Sequence, residues 1–206
     1  MANAPKFSTR TLEDFKSRLV GGGARPNLFE CDITFPSFAV EGTGDSELSV
    51  NEITRFMCKA AQLPASNVAE IPIPFRGRVL KVAGDRTFDP WTITVVNDVD
   101  FRIRTAFEKW MNGINKHEDN SGLINPTDYQ VQAHVKQLGR ASKTDTIPVL
   151  KEYEFYGVFP TNVSEIEVSY DSSDIIEEFT VTLQVQWWDA KDPNGDTQIG
   201  TGQIAT

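Results

Sequence analysis

Apolar and polar residues alternate with a period of two along several short stretches of the chain, as expected of strands with one buried and one solvated face. The clearest run sets Phe179, Val181, Leu183, Val185 and Trp187 against Thr180, Thr182, Gln184, Gln186 and Trp188. Trp91, Ile93 and Val95 alternate in the same way with Thr92, Thr94 and Val96. So do Phe29, Cys31, Ile33 and Phe35 with Glu30, Asp32 and Thr34, and the pairing partner of this strand is expected from Ile53 through Cys58. Strand patterning resumes at Val131, Ala133 and Val135, continues through Val149, Lys151, Tyr153 and Phe155, and returns at Ile166, Val168 and Tyr170. The stretch Val79 to Asp98 reads as two strand-like segments joined by a polar turn, with Gly84 and Asp85 supplying turn chemistry and Pro90 ending the loop.

One segment has a different period. Phe101, Ile103, Phe107, Trp110, Met111 and Ile114 recur every three or four residues, which predicts one dominant helix capped by Asn97 or Asp98. Asp100 stands four residues before Arg104, the orientation that favours an ion pair on the exposed face. A shorter amphipathic piece places Leu12, Phe15 and Leu19 at helical spacing ahead of Gly21-Gly22-Gly23, a flexible hinge that lacks the lysine and hydroxyl residue of a phosphate-binding loop. About eight strands and one long helix, without regular strand-helix alternation, predict a mainly β fold: an antiparallel barrel or sandwich with a flanking helix, extended loops and terminal arms. The expected organisation is an N-terminal arm over 1–23, the β domain over 24–188 and a C-terminal extension over 189–206.

The long connection Pro36 to Asn51, with Gly42 and Gly44 among Glu41, Asp45 and Glu47, is a candidate contact between subunits. Asn115 to Asp128 reads as a loop, and Pro160-Thr161-Asn162 as a turn between strands. In the extension, Asn194-Gly195 is a hairpin-turn pair; Asp192, Asn194 and Asp196 imitate the opening of a calcium loop, but Thr197 and Gln203 stand where its glycine and glutamate belong.

A chain of 206 residues can bury a core without disulfides. A net charge of −9 argues against a surface that grips phosphate, yet suits a wall along which a polyanion slides. No apolar run reaches signal-peptide or membrane-span length, so synthesis in the cytoplasm is expected, and Cys31 and Cys58 are expected to be buried thiols. His117 and His134 have no partner at metal-ligand spacing, and no two of the many acids stand out as a catalytic pair. No enzymatic activity, metal or cofactor is expected. The dense acidic region Glu165, Glu167, Asp171, Asp174, Glu177 and Glu178 is either a solvated face or part of a channel wall or subunit contact.

Three separated segments carry a family resemblance: Ala24-Arg25-Pro26-Asn27-Leu28-Phe29; Gly84-Asp85-Arg86-Thr87-Phe88 leading to Trp91; and Phe159-Pro160-Thr161-Asn162-Val163 followed by the strand into Trp187. Their order and spacing resemble the tail tube proteins of contractile-tailed bacteriophages, which are in turn similar to the haemolysin-coregulated protein of type VI secretion. The resemblance covers roughly residues 24 to 188 and marks Arg25, Pro26, Asn27, Phe29, Gly84, Asp85, Arg86, Phe88, Trp91, Pro160, Thr161, Asn162 and Trp187 as structural motif positions. It implies a virion protein whose hexameric rings stack into the inner tube of a tail. The implied partners are the chain itself, a sheath, a tape-measure protein in the lumen, a baseplate initiator, a terminator, and DNA in transit without sequence-specific binding. A baseplate initiator, an injection-system tube subunit and, further off, a β-sandwich binding module are the alternatives.

Overall fold

The computed structural model describes residues 11–19, 23–41, 47–140 and 147–192. Chain order is α1 (Leu12–Arg18), β1 (Phe29–Ile33), α2 (Ser37–Val40), α3 (Glu47–Met57), β2 (Cys58–Ala61), β3 (Asn67–Phe75), β4 (Arg78–Thr87), β5 (Trp91–Val96), α4 (Arg102–Ile114), α5 (Pro126–Tyr129), β6 (Val131–Leu138), β7 (Val149–Val163), β8 (Glu178–Gln184) and β9 (Trp187–Lys191). All strand pairings are antiparallel. The hydrogen-bonded path is β1-β6-β7-β8-β5-β2, with β9 also on β7 and with β3-β4 as a separate hairpin.

The 15-residue strand β7 makes this one sheet into a sandwich. Its first part pairs with β6 and β9, and its last part pairs with β8. β8 and β9 follow β7 in one continuous register, interrupted at Val185 and Gln186 opposite Val158 and Gly157. Gly157 has φ +63, and a Cβ there would meet Gln186 Cγ at 2.5 Å, so a glycine is needed where the ribbon turns from one layer into the other. The layers β1-β6-β7-β9 and β7-β8-β5-β2 bury Cys31, Ile33, Ala133, Val135 and Phe155 against Trp91, Ile93, Val95, Phe179, Val181 and Leu183. Trp91 stacks on Phe155 with centroids 4.5 Å apart. Edges β1 and β2 are not hydrogen-bonded to each other, so the barrel is not closed.

Helix α4 closes the core with Ile103, Ala106, Phe107 and Trp110, and Phe35 packs edge-on against both aromatic rings. The cap position of this helix is Phe101, not Asn97 or Asp98; Asp98 still accepts from Arg102 N at 3.0 Å from the turn before it. Phe101 itself has φ 54 and an exposed side chain, and Arg104 pairs with Glu108 instead of Asp100.

Several expectations are corrected. Most of the described part of Pro36 to Asn51 is helical, and Ile53 through Met57 completes α3 instead of forming a strand; β2 pairs with β5, not β1. Val50 and Thr54 point into the core one turn apart, and Thr54 Oγ1 donates to the Val50 carbonyl. Gly84 and Asp85 are no turn. They form a bulge inside β4 opposite Ala69, where a Cβ on Gly84 would approach Ala69 O to 3.1 Å. The actual turn is Arg76-Gly77, with φ 44 and 80 as a type I′ hairpin turn requires. Pro160 to Asn162 lies within β7, with the extra residue of a bulge at Thr161, whose hydroxyl donates to the Thr182 carbonyl. Ile166, Val168 and Tyr170 belong to a loop, and α5 interrupts the segment Asn115 to Asp128. The final alternation holds through the buried Val185 and breaks at Gln186 and Trp187, which reverses its phase: Trp188 is buried and Trp187 is 45% exposed. Asp189 to Lys191, expected in the extension, are part of β9; Gly21-Gly22, Gly42 to Asp45, and the Asn194-Gly195 turn lie outside the described residues.

Candidate self-association surfaces

β3 and β4 continue the β2/β5 ribbon past the end of the sandwich. The β2/β5 ladder ends at Ala61 opposite Ile93, followed by Gln62 N donating to Thr92 O, and the hairpin ladder opens with Asn67 opposite Thr87. From there the hairpin reaches about 25 Å at ~3.3 Å per residue. Every residue of β3 is exposed, as are all of β4 except the half-buried Gly84. Cross-strand register puts Ile71 beside Val82, Ile73 beside Leu80 and Phe75 beside Arg78 on one face, so five large apolar side chains line it in solvent. The other face carries Pro72, Pro74, Val79 and an exposed Glu70–Lys81 ion pair. Pro72 and Pro74 lack the N–H that a further strand would need on their side.

The root of this hairpin is where the sequence motifs converge. Trp91 is buried, and its indole N–H donates to Gln62 O at 2.9 Å. Phe88 packs edge-on to Trp188, and Trp187 stacks on Tyr156 at 3.9 Å. Arg86 pairs with Val68 next to the Gly84-Asp85 bulge, and Asn162 pairs with Thr182 beyond Pro160 and Thr161. Arg25, Pro26 and Asn27 stand apart from this group, in a turn ahead of Phe29 and β1; there Gln137 Nε2 donates to the carbonyls of Arg25 and Leu28. These positions orient backbone and pack aromatic rings.

The opposite end of the β7-β8-β5-β2 layer carries the loop 164–177. It holds five acids and no Lys or Arg. Val168, Tyr170, Ile175 and Ile176 are 70% exposed or more, and a groove of about 590 Å³ runs between Ile166, Val168, Ile175, Ile176 and Glu177. α1 is a third unburied surface, showing Leu12, Phe15 and Leu19 beside a Thr11–Asp14 capping box.

The outer faces of the two layers differ. On β1-β6-β7-β9, Asp32, His134, Glu154 and Asp189 form one cross-strand row and Glu30, Lys136, Glu152 and Lys191 the next. Lys191 Nζ lies 2.5 Å from Glu154, His134 Nδ1 is 3.2 Å from Glu152, and Arg55 from α3 reaches Asp32 at 2.6 Å. Burial alone pushes Glu154 up, but hydrogen bonds from Lys191 and Tyr156 and the charge on Lys191 outweigh it and hold the carboxyl below its ordinary range. Tyr156 is pushed up to about 12 by burial and by its bond to Glu154. On the other layer the outward positions of β5 and β8 are Thr92, Thr94, Val96, Glu178, Thr180, Thr182 and Gln184, and Lys59 of β2 pairs with Glu178.

Cys31 and Cys58 are buried free thiols; contact with Cys58 and burial push Cys31 well up, a setting that suppresses thiolate chemistry. His117 is exposed, and His134 sits in the ion-pair rows. Among the described residues no group of three metal-ligating side chains forms, and no helix is long and apolar enough to cross a membrane.

The described residues thus form a two-layer β body with an exposed apolar hairpin and paired surface charges. A family model of phage tail tube proteins matches residues 24–191, and the chain belongs to that family. It is 37% identical over 169 residues to tail tube protein gp19 of Enterobacteria phage T4, covering 82% of this chain and 93% of that one. Its fold is similar to a chain of the anti-feeding prophage baseplate, with TM-score 0.56 and 10% identity over 83% of this chain and 97% of that one. A chain of the PVC extracellular contractile injection system, from a sheath-tube complex in the extended state, is similar at TM-score 0.51 and 15% identity over 85% and 97%. The protein is a structural component of the virion tail, not an enzyme.

Proposed function

We propose that copies of this chain close into hexameric rings and stack into the inner tube of a contractile tail, the conduit through which DNA leaves the particle. The observation that carries this reading is the β3-β4 hairpin. Five exposed apolar side chains on a two-stranded arm are an aggregation liability in a monomer and become buried area once a second copy covers them. Strand edges β1, β2 and β9, each paired on one side only, supply the lateral contacts that a ring consumes. A head-to-tail stacking contact has no built-in end, so tube length is set by other components: a tape-measure protein in the lumen, a baseplate initiator and a terminator, with the sheath outside.

In this reading the threonine-rich outer face of β5 and β8 lines the channel. Hydroxyl and amide groups without clustered cations give DNA phosphates little to hold, and the acidity of the whole chain keeps the wall from attracting them. Negative-stain electron microscopy of the concentrated protein tests the proposal, with rings or hollow tubes of uniform width as the expected result. A chain that stays monomeric at every concentration, and is present in particles only at the copy number of one ring, would overturn it in favour of a baseplate initiator.

A further inference from the structure

Hairpin and acidic loop occupy opposite poles of one layer. β5 enters from the hairpin at Trp91 and ends at Val96, and β8 pairs with it so that Trp91 lies opposite Leu183 and Val96 opposite Glu178, the first residue after the loop. The two surfaces are therefore separated by the length of the strands, roughly 17 Å, and cannot meet within one chain. They are complementary in chemistry. The hairpin carries four cations against two anions, and its tip, Phe75-Arg76-Gly77-Arg78, carries two cations and no acid. The loop offers a groove lined by Ile166, Val168, Ile175 and Ile176 together with Glu167, Glu177 and Glu178, and the same loop carries Glu165, Asp171 and Asp174.

Two details of the tip point the same way. Arg76 occupies the left-handed region at φ 44, in a turn position where Asn, Asp or Gly is the unstrained choice. Its guanidinium lies over the Phe75 ring at 5.4 Å, so an aromatic group and a cation are presented together. Among the described residues Arg76 and Arg78 join no ion pair, and neither do Glu165, Glu167, Asp171 or Asp174.

We infer that the hairpin tip of one copy seats Phe75 in the groove formed by Ile166, Val168, Ile175 and Ile176 of the next, while Arg76 and Arg78 pair with acids of that loop. This rests on the tube reading and deepens it: the contact is heterologous, polar and directed along the strands, so it stacks copies head to tail. The partner is a second copy of this chain, because both halves of the contact stand on it at opposite poles.

The test is a charge swap in the full chain, read by electron microscopy and by the critical concentration for polymer in sedimentation. R76E/R78E and, separately, E167K/D171K are expected to raise that concentration at least about tenfold, and the four substitutions together to restore most of it. Circular dichroism of each variant checks that the exposed changes leave the fold intact. Two charge-reversed variants that polymerise like wild type would overturn the pairing while leaving the tube standing. Loss in both without rescue in the combination would assign the acids and the arginines to different partners and also overturn it. A wild-type chain that never forms rings or tubes would fail the tube reading itself, and the inference with it.

Discussion

Replacing Trp91 by alanine should remove the root of the hairpin from the core. The ring is 3% exposed, stacks on Phe155 at 4.5 Å and donates its indole N–H to Gln62 O. A buried aromatic side chain truncated to alanine costs about 3–5 kcal/mol through lost transfer energy and cavity formation. The stacked pair adds about 1 kcal/mol, and the unpaired Gln62 carbonyl about 1 kcal/mol more. Together these give a loss of about 6 kcal/mol, against a total stability of about 5–15 kcal/mol for a domain. Urea unfolding followed by circular dichroism, at concentrations too low for polymer, should show the midpoint falling by roughly 2 M. Trp91→Phe keeps a stacked ring and loses only the donor and some area, so it should cost about 1–2 kcal/mol. A midpoint for Trp91→Ala within about 0.5 M of wild type, or a phenylalanine variant as damaged as the alanine one, would refute this account of the hairpin root.

Other consequences can be checked alongside. Glu154→Gln should cost about 1–3 kcal/mol at neutral pH, since Lys191 and Tyr156 lose their charged acceptor. Because the folded carboxyl is held below the ordinary glutamate range, its contribution is present above that range and lost as pH falls through the depressed value; the variant should flatten this acid limb in a pH series of melts. Gly157→Ala should destabilise by about 1–3 kcal/mol, measured by the same unfolding curve, because φ +63 disfavours a side chain and Gln186 occupies its space. Ile71→Thr with Ile73→Thr should leave monomer stability within about 0.5 kcal/mol yet abolish tubes by electron microscopy, since both side chains are already in solvent before assembly.

The sandwich was legible where a strand buries one face in the chain's own core: the alternations at Phe29, Trp91, Val131 and Phe179 all form strands. α4 was equally plain because Ile103, Phe107 and Trp110 mark one face over about two turns. α3 was hidden because, among its described side chains, the inward ones are Val50, Ile53, Thr54 and Met57 and one of them is polar, so a short helical stripe looked like the start of a strand. Glycine meant a bulge at Gly84 and a bend at Gly157, and the sequence does not separate those uses from a turn. No strand is evident across Asn67 to Phe75, since Pro72 and Pro74 interrupt the pattern that marks a central strand. The proposed association surfaces were the least visible part. Ile71, Ile73 and Leu80 on the hairpin, and Ile166, Val168 and Tyr170 in the acidic loop, have the same period as a core strand; only the structure places most of them in solvent. Period two records that a face will be covered, without recording which chain covers it.

A helical reconstruction of tubes polymerised from the purified chain addresses the central claim most directly. The account predicts a polar stack in which each hairpin crosses from its own ring and ends against residues 164–177 of the next. Hairpins lying free in solvent, with rings held together through other surfaces, would contradict it.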